Sequence, residues 1–567
     1  MTRTKRQWLC LLGILLILLA VCAAWAFGAD LLQQIYEGRS SGLLNRLIRD
    51  QSLRSLDAYL DGLHGFLAQA SFAALGLLVL LVAGAFPSTA RTLTRVSFAV
   101  VCALLLWRGA RWLWRVQWAI SYPFGIDYGE GPVLGQVLEL ARGGSLYASI
   151  GEPPFVVTNY PPVYQGVVTF VSKLGVGELS AGRSVSVAAT LVIALLIAAL
   201  VAHASSERGR VARLAGASAG GLLFLAIHYV WRWSPLMRVD MLSIAWSMAG
   251  LAAFTFVKRD AAKVLICACF FLLALFTRQS AIAAPVACLL VGLTLDRGLA
   301  SRLFAALMIG GCAVLASAVF LTDGHFWAHV VDANRNGFSP TRLGSRWYHM
   351  AWVNFGLLAV AVPTAVHCVR SRTEGKALLG VYFFCALLVS ATVGKVGSSV
   401  NYLIEALAAA SALGGVAVAW AVGMRGRAPL AVMVLLWFQL SLPHALQPEE
   451  PGGLERRVAN SEEALERIRA ADGPVVSEDN VLLGLAGRPI YFQPFVMTQL
   501  HRQGRWSQEA FLAQLNSREL ALIVLERDVQ SSDIKFAERF SPEVREAIGA
   551  NYRKTSELTP YHLYEPR

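Results

Sequence analysis

Residues 181–203 read AGRSVSVAATLVIALLIAALVAH, and from Ser184 to His203 there is no Asp, Glu, Lys or Arg. A run of this length, wound as an α-helix, covers the ~30 Å hydrocarbon core of a bilayer. Backbone groups inside lipid must be satisfied within the segment, so a helix is the form such a run takes. The same character recurs on both sides of it. Candidate spans are 8–28, 67–86, 96–118, 181–203, 213–230, 238–257, 262–277, 281–296, 301–321, 348–369, 376–393, 400–422 and 428–446. The segment 96–118 is interrupted by Arg108, Arg111 and Arg115, and 281–296 is short.

The whole chain agrees with that reading. Of 567 residues, 56% are hydrophobic and 15% charged, with mean hydropathy +0.53. A soluble protein carries roughly a quarter charged residues. The expected fold class is therefore an α-helical polytopic membrane protein of about thirteen transmembrane helices. The net charge of +13 fits basic loops against anionic lipid headgroups. There is no basic tail or aromatic-basic stripe suited to nucleic acid, so membrane lipids are the expected partner and nucleic acid is not.

Orientation follows from the loops. With the N-terminus cytoplasmic, every short inside segment is basic: Arg3, Lys5 and Arg6; Arg91 and Arg95; Arg208, Arg210 and Arg213; Lys258, Arg259 and Lys263; Arg297 and Arg302; Arg370, Arg372 and Lys376; Arg425 and Arg427. Thirteen spans then leave the C-terminus outside. The loop 29–66 carries mixed charge. Ala23-Ala24-Trp25-Ala26 is a poor cleavage site, so an uncleaved first span is expected. The nine cysteines all lie in or at the ends of apolar segments. They read as small apolar filler rather than a disulfide framework or metal site.

The long outside segments are 119–180, 322–347 and 447–567. Residues 163–174 are apolar but too few to span, which suggests a helix lying in the interface. Composition changes sharply near 450. Glu455 to Ala471 reads as an amphipathic helix. Pro474 to Ser477, Pro489 to Phe492 and Leu520 to Leu525 read as short buried strands, which makes the tail a small α/β domain.

Residues able to carry chemistry gather at the outer ends of spans. Asp127-Tyr128-Gly129-Glu130-Gly131-Pro132 puts two carboxylates at the mouth of the membrane. They suit a general base or a metal ligand, or equally a helix cap before Pro132. Thr158 to Tyr164 holds a diproline that reads as a helix start. Trp231 to Asp240 holds Arg232, Arg238 and Asp240, and Asp240 lies just inside an apolar span, where an ionisable group is costly. Arg278 lies in Thr277-Arg278-Gln279-Ser280. Lys395 sits in a Gly- and Ser-rich turn suited to an anion, and is followed by Asn401, Tyr402 and Glu405. Snorkelling to headgroups would account for the cations equally well. His325, His329 and Asp332 have i, i+4, i+7 spacing but no visible fourth ligand. No cofactor is expected, and a divalent metal is possible but not indicated.

A transporter would place such groups near mid-membrane. Their crowding on one face suits chemistry on a lipid-anchored anion. On these residues the chain resembles the GT-C superfamily of integral membrane glycosyltransferases, in the branch of the protein mannosyltransferases and the lipid A aminoarabinose transferase. The resemblance rests on the order of Asp127-Tyr128-Gly129-Glu130-Gly131, Tyr160-Pro161-Pro162, Arg183, Arg238-Val239-Asp240, Thr277-Arg278-Gln279 and Lys395 through Tyr402. The tail motifs Ser477-Glu478-Asp479-Asn480 and Ala486-Gly487-Arg488-Pro489 are similar to outer domains attached to such enzymes. The chain departs from the family in having two spans before the acidic loop, and in spacing its carboxylates as Asp-x-x-Glu.

The resemblance implies a sugar moved from a polyprenyl-phosphate donor to an extracytoplasmic acceptor by inverting displacement, in cell-envelope glycan or glycoconjugate synthesis. Asp127 would be the base, Glu130 its alternate or helper, and Asp240 an orienting carboxylate. Arg232, Arg238, Arg278 and Lys395 would hold the donor phosphate. Tyr128, Tyr160, Asn401, Tyr402 and Glu405 would line the substrate cavity. The implied organisation is an N-terminal transmembrane extension (1–95), a GT-C-like core (96–446) with outer loop 119–180, and a periplasmic domain (447–567), all in a bacterial inner membrane. Two other readings stay open: a flippase of lipid-linked sugars, or an O-antigen-type ligase working through 322–347.

Overall fold

The computed structural model describes residues 90–371, 373–424, 427–441 and 451–567. The expected spans 8–28 and 67–86, and the end of 428–446, lie outside the described residues. Five described helices are long and apolar enough to cross a membrane: Thr92–Ser121, Glu178–Ala204, Arg297–Leu321, Glu374–Gly394 and Asn401–Val422. Six result if one bent pair counts as a span. The protein is a multi-pass membrane protein. All the expected spans within the described residues are helical, but several are short. Asp240–Phe256 has 17 residues and Ala283–Leu295 has 13. At 1.5 Å per residue these reach only about 26 and 20 Å.

The expected span 348–369 is not one continuous helix. Pro340–Val353 and Phe355–Val369 are separate helices meeting at 95°. The sequence explains the break. Ser339 caps the first helix by accepting from the Arg342 amide, and Pro340 opens it. That helix carries Arg342, Arg346 and His349 and is amphipathic, so it cannot cross lipid. The second helix is apolar throughout.

The centre of the bundle is Asn401–Gly423, almost wholly buried. It crosses Arg210–Ala226 where both helices present small residues. A Cβ on Gly216 would lie 2.6 Å from the Gly415 carbonyl oxygen. Close backbone approach of this kind drives helix association in lipid. Arg108, an awkward charge in Ala90–Ser121, is buried and donates twice to the Leu440 carbonyl, at 2.9 and 3.1 Å. Val163–Ser172 forms a short helix whose exposed side carries Phe170, followed by exposed Leu174.

The C-terminal part builds a four-stranded sheet in the order β1-β2-β4-β3. The strands are β1 (Val475–Ser477), β2 (Leu522–Leu525), β3 (Tyr552–Leu558) and β4 (Tyr561–Pro566). β1 and β2 are parallel, and β4 runs antiparallel to both of its neighbours. The helix Pro451–Ala470 occupies the amphipathic segment. Pro489 to Phe492 is not a strand; it makes one bridge, Phe155 to Phe492. The 119–180 loop supplies side chains to both cores of this unit. Tyr122 and Phe124 pack with Leu465, Leu482 and Leu563. Phe155 and Val157 pack with Phe492, Trp506 and Phe511. The sheet unit thus sits on the end of the bundle from which that loop emerges.

Candidate active site

The acidic loop 125–131 is held at alternating positions. Glu130 opens the helix Glu130–Ala141 and is fully buried. Arg183, also fully buried, donates to both its oxygens at 2.9 Å. The remaining Arg183 hydrogens go to the carbonyls of Ala119, Tyr122 and Phe124. Glu130 further accepts from the amides of Ile126 at 2.7 Å and Met237 at 2.9 Å. Its lone pairs are occupied by donors, so it has none to offer a substrate hydroxyl. This carboxylate ties the loop to the bundle; the sequence placed it among the catalytic candidates because burial by a distant Arg is invisible in the order of residues.

Asp127 differs. Its side chain is 35% exposed. One oxygen accepts from the Gly129 amide at 2.9 Å, a local Asx turn, and lies 3.4 Å from an Arg238 nitrogen. Among the described residues the other oxygen has no hydrogen-bond partner. A Cβ at Gly129 would overlap the Arg238 guanidinium, which would have to move to make room for it.

Asp240 is fully buried and accepts from Trp233 at 2.7 Å and Asn401 at 2.8 Å, with Arg278 at 3.0 Å. It is paired with a buried cation and lies off the wall of the cavity described below. Arg278 stacks over the Tyr402 ring at 4.2 Å. It is only 7% exposed, yet among the described residues its Nε and one terminal nitrogen meet no acceptor. The Nε of Arg238 is likewise buried without an acceptor among the described residues, and its guanidinium lies over Trp233 at 5.2 Å. Buried guanidinium hydrogens without acceptors are costly unless an anion fills them.

A cavity of about 370 Å³ opens beside these groups, lined by Tyr128, Gly129, Asn159, Tyr160, Arg238, Ser398, Ser399 and Phe495. Its far walls carry Arg342, Arg346, Lys535, Glu538 and Arg539. The cations outnumber the carboxylates, so the field favours an anion. Asp127 stands one step behind the wall and reaches it through Arg238. Asp240, Arg278, Asn401 and Tyr402 lie off the wall and contact one another.

Three expectations fall elsewhere. Arg232 is exposed on the short helix His228–Trp233 and is not on the cavity wall. Lys395 lies in a backbone bridge with Phe338 and is also off the wall. Glu405 lies deeper and accepts from Tyr382 at 3.2 Å. Both ring nitrogens of His329 are engaged by backbone, at Thr158 and Ala148, so His329 has no free ring nitrogen to give a metal. The sequence reading missed Lys535, Glu538 and Arg539, which reach the cavity only because the sheet unit folds over the bundle.

The bundle with its side helices, outer loop and capping sheet shares its fold with solved structures. It is similar to ArnT from Cupriavidus metallidurans. The structure bound to undecaprenyl phosphate aligns at TM-score 0.53 and 16% identity, over 81% of this chain and 97% of that one. The apo structure aligns at 0.54 and 15%, over 82% and 98%. A looser likeness, TM-score 0.42 at 11% identity over 84% of this chain and 74% of that one, is to the oligosaccharyltransferase AglB from Archaeoglobus fulgidus in complex with an inhibitory peptide and a dolichol-phosphate. No protein-family model matches the chain, and no curated protein matches it.

Proposed function

We propose that this chain is a membrane glycosyltransferase that moves a sugar from a polyprenyl-phosphate donor to an acceptor at the loop end of the bundle. The observation that carries the reading is the pairing of an accessible carboxylate, Asp127, with buried guanidinium groups on Arg238 and Arg278 whose hydrogens await an acceptor. The ArnT structure with undecaprenyl phosphate supports a lipid-phosphate ligand for this fold.

In this mechanism the acceptor oxygen attacks the anomeric carbon as its proton passes to Asp127. The bond from that carbon to the phosphate oxygen breaks, and the phosphate leaves with its electron pair. Charge grows on the phosphate as the bond lengthens, so fixed guanidinium groups in a water-poor site stabilise the transition state more than the ground state. A single displacement inverts the anomeric centre. Glu130 and Asp240 act by holding the loop and Arg278 in place. In this reading the sheet unit faces the extracytoplasmic side of a bacterial inner membrane, and residues 447–567 form its capping domain.

Binding of undecaprenyl phosphate tests the reading, with undecaprenol as the control that shares the tail but lacks the phosphate. The purified protein should prefer the phosphate, and Arg278→Gln should weaken that preference about 10–100-fold, the loss of one or two charge-assisted bonds. Equal binding of the two lipids by wild type would overturn it.

A further inference from the structure

We infer that Arg539, carried by the C-terminal sheet unit, is a positioning residue for the Asp127 loop, acting through Tyr128. The inference rests on the proposed function and names a task for the C-terminal unit within that site.

The geometry is specific. The Arg539 guanidinium lies 3.9 Å over the Tyr128 ring. One of its nitrogens is 2.5 Å from Glu478 and 2.6 Å from Glu526. Glu478 follows β1, Glu526 follows β2, and Glu478 also accepts from the Glu526 amide at 2.7 Å. The charge is therefore fixed to the sheet itself. The backbone behind Arg539 is fixed as well. Thr498, Gln499 and Arg502 of the helix Pro494–Arg502 donate to the carbonyls of Arg539, Glu538 and Ala537. These are end-of-helix carbonyls of Ile534–Arg539 that have no partner within that helix. The same unit also holds the tip of Tyr128, whose hydroxyl accepts from the Phe495 amide at 3.2 Å.

Position 128 is thus gripped by the sheet unit, while 130 is gripped by Arg183 of the bundle. Asp127 is adjacent to one anchor and three residues from the other. A carboxylate with a half-free side chain needs its backbone held on both sides to meet an acceptor within hydrogen-bond reach. A planar guanidinium that both stacks and pairs suits this task, and an ammonium does not.

The test uses the full chain in detergent, with amide exchange across residues 126–131 as a readout that needs no turnover. Arg539→Ala should raise exchange of this segment about tenfold while leaving Asn401–Gly423 protected. Arg539→Lys, which keeps the charge but not the plane, should give an intermediate rise. Tyr128→Ala should match Arg539→Ala, and the double variant should be no worse than either single one. With a polyprenyl-phosphate sugar as probe, Arg539→Ala should lower kcat by a larger factor than it weakens undecaprenyl phosphate binding. Unchanged exchange at 126–131 in Arg539→Lys and Arg539→Ala, or additive effects in the double variant, would overturn the inference. Absence of turnover in wild type with normal exchange behaviour would count against the glycosyltransferase reading and leave the clamp standing.

Discussion

Replacing Glu130 by Gln separates a structural carboxylate from a catalytic one. Glu130 and Arg183 are both at 0% side-chain exposure, 2.9 Å apart. Removing one partner of a buried pair leaves the other charge uncompensated, at a cost of about 3–5 kcal/mol. Glutamine does worse here than its shape suggests. One Glu130 oxygen accepts from Arg183 and Met237, the other from Arg183 and Ile126. Whichever oxygen becomes NH2 then points two hydrogens at two donors. The expected result is a fall in thermal midpoint of at least about 5 °C, with activity falling only as far as the loop loses its place. The assay is thermal unfolding in a fixed detergent at a fixed scan rate, beside turnover at a temperature where the variant is folded. Arg183→Leu combined with Glu130→Met should recover part of the stability. A Glu130→Gln protein with wild-type thermal stability and no turnover would refute the assignment and return Glu130 to the chemistry.

Other outcomes follow from the same geometry. Burial and the neighbouring Glu526 carboxylate push Glu478 up to about 7, against the pull of Arg539; Asp479 next to it is pushed up to about 6, first by burial. Acidification through pH 7 should therefore weaken the Glu478–Arg539 pair and lower turnover, and Glu478→Gln should flatten that limb of the pH profile. Stability carries the opposite sign: between the ordinary glutamate value and 7 the folded state holds a proton that the unfolded state lacks, so this group's contribution falls as pH rises through that window, and Glu478→Gln should remove the slope. Gly216→Val should abolish folded yield by size-exclusion chromatography, because its side chain would meet the Gly415 carbonyl, whereas Gly166→Ala, with open space around it, should be tolerated.

The helical membrane character was legible from the apolar runs alone, because the bilayer fixes both length and polarity of a span. Length fails as a guide where a helix is packed inside protein: Ala283–Leu295 is apolar but need not match the bilayer. The bend at Asn354 was hidden because the apolar second helix masked an amphipathic first one. In the sheet unit, β1 and β2 announce themselves as Val-Val-Ser and Leu-Ile-Val-Leu. The hairpin β3–β4 does not, since Arg553, Lys554 and Thr555 are exposed and the strand reads as polar. The acidic loop and Arg238, Arg278 and Asp240 were legible as costly charges near a membrane. Which carboxylate is free was not, because that depends on Arg183, 53 residues from Glu130. The Arg539 clamp lies further still from Tyr128 in sequence, and only the folded sheet brings it near.

The most direct test of the account is transfer of labelled sugar from a polyprenyl-phosphate donor by purified protein, wild type beside Asp127→Asn. Asparagine keeps the Asx turn but cannot take a proton, so turnover should fall at least about 100-fold while undecaprenyl phosphate still binds. Transfer by Asp127→Asn at the wild-type rate would contradict the account.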